Sequence, residues 1–125
     1  MATSGNQIRQ TFEAGADLSA KKDTFVIVTN AAERTVNTPA AGAKVDGVLL
    51  NDPRAAGHAA AVAVFGRVKV VAGGAIALGA EIQTDAQGRA VTATGTNIRL
   101  GKTTEAATAA GQLITIDFYP GGNAA

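Results

Sequence analysis

Short apolar runs rich in β-branched residues recur along this chain of 125 residues, and glycine, proline, asparagine or aspartate separates them. The clearest run is residues 112–118, QLITIDF, in which polar and apolar residues alternate with a period of two. A period of two places one set of side chains on each face of a strand. This segment therefore predicts a half-buried β-strand.

Similar segments cover much of the chain and lie between turn signals. They are residues 24–30, 34–38, 44–50, 59–71, 80–84, 89–94 and 97–100. Gly66 inside the long apolar run predicts a bulge or a sharp bend, because glycine weakens a regular strand. Asp85 to Gly88 predicts a type I turn that ends in a glycine bulge. In all, the chain predicts an all-β fold of about nine short strands, as a small β-barrel or sandwich.

The polar pattern at both ends suggests boundaries for this domain. Residues 1–11 are mostly polar and predict an extended N-terminal arm, residues 12–119 the β-domain, and residues 120–125 a C-terminal tail. At most one short helix is expected, over residues 103–110, with a threonine cap and Gly111 as its end.

An internal echo suggests that the domain contains two related units. Eight residues of the first half align in order with eight of the second. The first set is Leu18, Ile27, Thr29, Asn30, Arg34, Val36, Gly47 and Gly57, and the second set is Ile76, Ile82, Thr84, Asp85, Arg89, Val91, Gly101 and Gly111. If the echo reflects a duplication, two similar β-units would close one barrel around a pseudo-twofold axis.

The apolar content of the chain is unusual, because alanine supplies almost half of it. There are 28 alanines, and leucine, isoleucine, valine and phenylalanine together number 28. Alanine buries little area, so the hydrophobic stabilisation per residue is small. We therefore expect the protein to gain stability by burial against a partner, through self-association or docking on a larger assembly.

Charge and composition exclude several classes of partner. The net charge is +1 and the basic residues form no cluster, so no nucleic-acid binding is predicted. No apolar run approaches 18 residues, so no membrane-spanning segment is predicted. The first ten residues lack the charged and apolar regions of a signal peptide. With no cysteine, disulfides and thiolate metal sites are excluded.

The sequence offers no set of residues for catalysis. His58 is the only histidine and is expected on a surface loop. The segment Gly101-Lys102-Thr103 lacks the earlier glycine that a phosphate-binding loop requires. Asp52 and Asp85 are expected to form turns rather than a calcium site. We therefore predict no catalytic, metal or cofactor-binding residue and no small-molecule substrate.

The second half of the chain resembles the head decoration, or cement, proteins of tailed bacteriophages. The resemblance lies in the order of three segments and covers residues 44–118 well and 12–43 loosely. They are GVLLND at 47–52, VKVVAGGAIALGAEIQTDAQGRAV at 68–91, and GKTTEAA at 101–107 before the closing strand 113–118. It implies a non-enzymatic virion protein that binds major capsid protein on the outer capsid surface and stabilises the expanded head. It also implies self-association, with a trimer favoured.

Within this interpretation, the N-terminal arm is the expected capsid contact. Ile8, Arg9 and Phe12 are the tentative contact residues, and the arm could add an edge strand to a capsid sheet. The alternative function is a β-rich binding module for carbohydrate or cell surfaces. The absence of tryptophan and the single tyrosine count against that alternative.

Overall fold

The computed structural model describes residues 7–30, 34–95 and 98–119, and they form an all-β protein. Within these ranges there is no helix, which agrees with the all-β fold predicted from the sequence. The nine strands are β1 (Gln7–Ala14), β2 (Phe25–Asn30), β3 (Thr35–Asn37), β4 (Gly47–Leu49), β5 (Ala59–Val71), β6 (Glu81–Thr84), β7 (Ala90–Thr92), β8 (Gly101–Thr103) and β9 (Leu113–Phe118).

Five strands close a barrel in the order β1-β3-β2-β4-β5, and β5 pairs again with β1. β1 runs parallel to β3, with Glu13 opposite Thr35, and antiparallel to the first half of β5, with Phe12 opposite Ala60. Closure leaves no long unpaired edge in this barrel, which removes the main aggregation hazard of a sheet.

The long strand β5 leaves the barrel at Gly66 and pairs with a second set of strands. Gly66 has a φ of 112°, a conformation that side chains other than glycine rarely adopt. The first half of β5 pairs with β1 and β4, whereas residues from Gly66 to Val71 pair with β9. The order then continues β9-β8-β6-β7 outside the barrel.

These outer strands repeat the pairing of the barrel, so the chain consists of two similar units that share β5. In the first unit Gly57 N donates to Ala14 O at 2.8 Å, and in the second Gly111 N donates to Ala72 O at 2.8 Å. The parallel contact also recurs, because Ala72 forms a parallel bridge with Ala90 as Ala14 does with Val36. The duplication seen in the sequence is therefore present in the hydrogen bonding.

The buried residues repeat in the same way. Each of eight residues that pack inside the first unit has an equivalent buried residue in the second. The first set is Phe12, Ala14, Leu18, Val26, Val36, Leu49, Ala60 and Val62, and its equivalents are Val70, Ala72, Ile76, Ile82, Ala90, Thr103, Ile114 and Ile116. The first unit thus encloses its own interior, and the interior of the second unit continues into the contact between the units. The sequence suggested instead two units that close one barrel.

The structure also shifts the predicted alignment by one residue in two places. Val26 is equivalent to Ile82, because Val26 O accepts from Asp46 N as Ile82 O accepts from Leu100 N. By the parallel contact, Val36 corresponds to Ala90 rather than to Val91.

The helix expected over residues 103–110 is absent. The strand expected at 97–100 begins later than predicted, because Gly101–Thr103 forms β8. After β8 the chain forms a loop, where Ala107 bridges Ile76 and Thr108 N donates to the side chain of Gln112. Backbone pairing of this segment within the second unit outweighs its helix propensity, which is weak over so short a segment.

The two units pack on each other because the buried cluster inside the second unit extends to residues of the first. Phe25 of the first unit lies 5.8 Å from Phe118 of the second, between ring centroids, and Val48 and Ala63 belong to the same cluster. Phe25 N also donates to Gly88 O at 2.7 Å. Alanine-rich strands therefore obtain extra burial from the contact between the units.

The described part of the predicted arm belongs to the barrel. Residues 7–11 form the first part of β1 and pair with β5. Residues 1–6 of the arm and the tail 120–125 lie outside the described residues.

We expect Gly101→Ala to destabilise the protein. A Cβ at Gly101 would overlap the carbonyl oxygen of Asp117, and the φ there is 150°. The free energy of unfolding should fall by about 2 kcal/mol or more, because the added Cβ would press on a backbone carbonyl that has little room to move. Urea unfolding followed by circular dichroism measures the change. Gly74→Ala is the matched control, because a Cβ there meets no atom within 4 Å; equal loss in both variants would contradict the explanation.

We expect Asp23→Asn to stabilise the protein increasingly as the pH rises. Burial of the carboxyl raises the pKa of Asp23 above 3.8, against the smaller opposing effects of Lys69 and Lys22. The folded state therefore binds this proton more tightly than the unfolded state. The contribution of this proton to the stability of the folded state is complete below the pKa of the unfolded state, and it is lost as the pH rises past the raised pKa of the folded state.

The measurement for Asp23 is the difference in unfolding free energy between Asp23→Asn and the unmodified protein. That difference should grow in favour of the variant between about pH 3 and about pH 7. A difference that stays constant over this range would show that the carboxyl does not titrate with a raised pKa.

Candidate interaction surface

Three large apolar side chains form an exposed row across three neighbouring strands. Ile8 on β1, Phe65 on β5 and Tyr119 after β9 have exposed fractions of 58%, 53% and 37%. Ile8 lies directly opposite Phe65. Because Gly66 pairs with Phe118, the next residues, Phe65 and Tyr119, are neighbours across β5 and β9. We call Ile8, Phe65 and Tyr119 the apolar row.

Irregular backbone at this point turns the row outward. The register of β1 and β5 shifts between Ile8 and Arg9, so one residue of β5 is unpaired. Bulges of this kind bend a strand and redirect its side chains. Beyond β9, Tyr119 N donates to Leu100 O at 3.0 Å, which fixes the backbone that carries the tyrosine ring.

A charged pair flanks the apolar row. Arg67 Nε donates to Asp117 Oδ1 at 2.9 Å, and these residues face each other across β5 and β9. The hydrogen bond with Asp117 raises the pKa of Arg67. Exposed aromatic side chains beside a paired arginine are the composition that protein interfaces favour over the rest of the surface.

The structure separates the three contact residues predicted from the sequence. Ile8 and Arg9 lie on the surface. Phe12 is only 8% exposed and packs inside the first unit, where the guanidinium of Arg34 lies 4.5 Å from its ring centroid. Phe12 therefore supports the barrel, and Ile8 and Arg9 are the predicted residues that a partner can reach.

Sequence reasoning missed Phe65 and Tyr119. Phe65 lies in an apolar run of 13 residues that pairs on both edges, so alternation alone does not reveal which of its side chains face outward. The usable signal was the glycine that follows it, because a predicted bend at Gly66 separates the two halves of the strand.

The described residues contain no group of three or more histidine, cysteine, aspartate or glutamate side chains that could hold a metal ion. His58 is exposed on a loop, as predicted. Asp85 forms its predicted turn by accepting hydrogen bonds from the backbone of Gln87 and Arg89 at 2.9 and 2.8 Å. In the described ranges, no helix is long and apolar enough to cross a membrane.

A family model described as phage cement protein matches residues 3–118 of the chain. The chain belongs to the phage cement protein family. Family membership confirms the resemblance seen in the sequence and supports a structural role in association with the phage capsid. A search of curated proteins gave no match.

A solved structure shares the fold. It is the N base of the head fiber gp8.5 of bacteriophage phi29, with a TM-score of 0.74 and 21% sequence identity. The match covers 90% of the present chain and 94% of the phi29 chain. The architecture of the cement protein thus recurs in a head fiber base at low sequence identity.

We expect Phe12→Ala and Ile8→Ala to differ sharply in their effects on stability. Phe12→Ala removes a buried ring and its contact with Arg34, so the free energy of unfolding should fall by about 3–5 kcal/mol. Ile8→Ala truncates an exposed side chain and should change it by less than about 0.5 kcal/mol. Chemical denaturation of both variants tests the assignment, and a large loss for Ile8→Ala would show that the row is part of the core.

Proposed function

We propose that the protein cements the phage head by binding major capsid protein on the outer surface of the expanded capsid. Membership of the cement family supports this role, and the apolar row supplies a surface suited to it. The main support for a contact at the apolar row is the exposure of Ile8 beside Phe65. Most other large apolar side chains of the described residues are buried.

The proposed mechanism is a shift of equilibrium by binding. A protein that binds the expanded lattice, but not the unexpanded or broken lattice, stabilises the expanded form by its binding free energy. Repeated over many copies, a modest affinity per copy resists a large internal pressure. Such a protein needs a defined shape and an exposed contact surface.

The proposed contact includes two residues predicted from the sequence and two found in the structure. Ile8 and Arg9 belong to β1, Phe65 lies opposite Ile8, and Tyr119 is the neighbour of Phe65 on the other side. The aromatic rings would supply most of the buried area, because aromatic side chains dominate interface energetics. Arg9 would interact at the rim of the contact.

We also propose self-association, with a trimer favoured. The resemblance to decoration proteins supports this expectation, and so does the small hydrophobic stabilisation that an alanine-rich chain gains by folding alone. Light scattering during gel filtration measures the mass of the assembly directly.

The direct test is co-sedimentation of the purified protein with expanded capsids that lack the cement protein. We expect the unmodified protein to sediment with the capsids and to saturate them. Phe65→Asp should weaken binding by at least about tenfold, because a carboxylate would be buried without a partner at the contact. Ile8→Ser should act in the same direction with a smaller effect.

The control for these variants is Ala86→Asp. Ala86 is also exposed, but it lies in the turn between β6 and β7, outside the apolar row. Circular dichroism melts establish that each variant is folded. Sedimentation of Phe65→Asp with undiminished affinity would remove the apolar row from the contact, and failure of the unmodified protein to bind would refute the cement role.

One observation favours the alternative, a carbohydrate-binding module. Phe65 and Tyr119 are adjacent exposed aromatic rings, and such rings can stack on sugars. Glycan-array binding that is lost in Tyr119→Ala, together with unaltered capsid binding, would favour this function over cementing.

A further inference from the structure

The duplication allows two equivalent surfaces of the same molecule to be compared. In each unit two loops lie side by side beyond the strands: residues 15–22 and 51–58 in the first unit, and 73–78 and 105–112 in the second. Leu18 N donates to Pro53 O at 2.9 Å, and Ile76 N donates to Ala107 O at 2.9 Å. The backbone is therefore held in the same way at both places.

The glycines of these loops match as well. Gly57 and Gly111 have φ values of 87° and 89°, and neither would meet an atom within 4 Å if it carried a Cβ. The side chain of Asn51 accepts from Ala61 N at 3.0 Å, and the side chain of Glu105 accepts from Thr115 N at 3.2 Å. The chain from Leu18 to Val26 is two residues longer than the equivalent chain from Ile76 to Ile82. Around the shared hydrogen bonds the backbone is alike, and the two loop pairs differ there in surface chemistry.

That chemistry differs strongly. The first loop pair carries five charged residues, namely Asp17, Lys21, Lys22, Asp52 and Arg54. The second pair carries only Glu105, which is engaged with Thr115. At equivalent positions, the exposed residues Asp52 and Arg54 are replaced by Ala106 and Thr108.

The second loop pair and its ends also expose apolar side chains. Leu78 is 69% exposed and Leu113 is 38% exposed. In the same two loops, Ala75, Ala77, Ala106, Ala109 and Ala110 are exposed too. We call residues 73–79 and 106–113 the uncharged patch. Since the first unit shows that this backbone tolerates charged side chains, the fold does not require the loss of charge. A partner surface does explain it, because contiguous exposed apolar patches mark sites of interaction.

We infer that the uncharged patch is a second contact with the capsid, separate from the apolar row, and that it binds an uncharged, apolar area of the protein shell. This inference rests on the proposed function. Val71 pairs with Leu113 of the patch, and Phe65 belongs to the apolar row. Phe65 and Val71 are about 20 Å apart along β5 at ~3.3 Å per residue. The row and the patch can therefore bind different places on the shell. Two contacts on one chain are what a clamp between neighbouring subunits requires.

The size of the patch favours the shell over a second copy of the chain. The patch contains eleven exposed residues. Stable interfaces between two proteins use about 20–30 residues on each side. Such a patch alone is too small for a stable dimer in solution, whereas on a shell it acts together with the apolar row. Linked contacts gain affinity because the second binding event is intramolecular.

The test compares a lysine at two equivalent exposed positions, Ala109 in the patch and Ala55 in the first unit. Ala109→Lys, Ala55→Lys and Leu78→Asp are assayed by co-sedimentation with expanded capsids that lack the cement protein. Ala109→Lys and Leu78→Asp should raise the dissociation constant at least about tenfold, because a charge would be desolvated against an apolar surface. Ala55→Lys should bind within about twofold of the unmodified protein, because rim and solvent positions contribute little.

The outcomes separate this inference from the proposed function. If the unmodified protein binds capsids and the two patch variants bind equally well, the second contact is wrong and the cement role stands. If the unmodified protein does not bind, both are wrong. If Ala109→Lys leaves capsid binding intact but dissociates an oligomer in light scattering, the patch binds a second copy, which overturns the assignment to the shell. Circular dichroism melts confirm that the variants fold.

Discussion

Strand pairing along β5 is the interaction on which the rest of the structure depends. This single strand is the last strand of one unit and the first strand of the next, and its change of role occurs at Gly66. Even-numbered side chains of β5 face the interior in both halves, Ala60 and Val62 before Gly66 and Val68 and Val70 after it. The glycine conformation and the residue of β5 left unpaired between the partners of Ile8 and Arg9 bend the strand from one unit to the next, and the alternation continues. The apolar row lies at the same point, so the bend that joins the units also exposes the aromatic rings.

Sharing a strand compensates for a composition poor in large apolar residues. Two separate small barrels built mainly from alanine and valine would each bury little surface. Joined through β5, they pack Phe25 against Phe118, and the interior of the second unit extends to Val48 and Ala63 of the first. Gly47 and Gly101 contribute in the same way in both units, because each brings its strand against the carbonyl oxygen of a neighbour, that of Ala63 or Asp117. Close backbone approach thus replaces bulky side chains as the means of filling the interior.

The sequence predicted most of the strands and the two units, because alternation and turn residues act locally. The turn from Asp85 to Gly88 is an example, since the side chain of Asp85 shapes it by accepting from the backbone of Gln87 and Arg89, both within five residues. Features set by distant contacts could not be predicted. Residues 103–110 have local helix propensity, but Ile76 bridges Ala107 from another part of the chain. Phe12 was predicted to be a contact residue of the arm. It is buried instead by β3 and the side chain of Arg34, which belong to a segment more than twenty residues away. Phe65 and Tyr119 become neighbours only through the register of β5 and β9.

The equivalent loops of the two units differ in charge, and stability of the fold alone does not explain that difference. A duplication that served stability alone would leave the loops of both units under the same requirement, which is solubility. The equivalent loops instead carry five charges in one unit and a single, hydrogen-bonded glutamate in the other. Their interiors, by contrast, remain matched at eight buried positions, with Thr103 as the one polar substitution and its hydroxyl satisfied by Ala77 O at 2.7 Å. The two interiors match and the loop surfaces differ, so the shared shape does not determine the chemistry of the loops. Different surroundings for the two loop pairs would account for that difference, because exposed apolar patches mark sites of interaction.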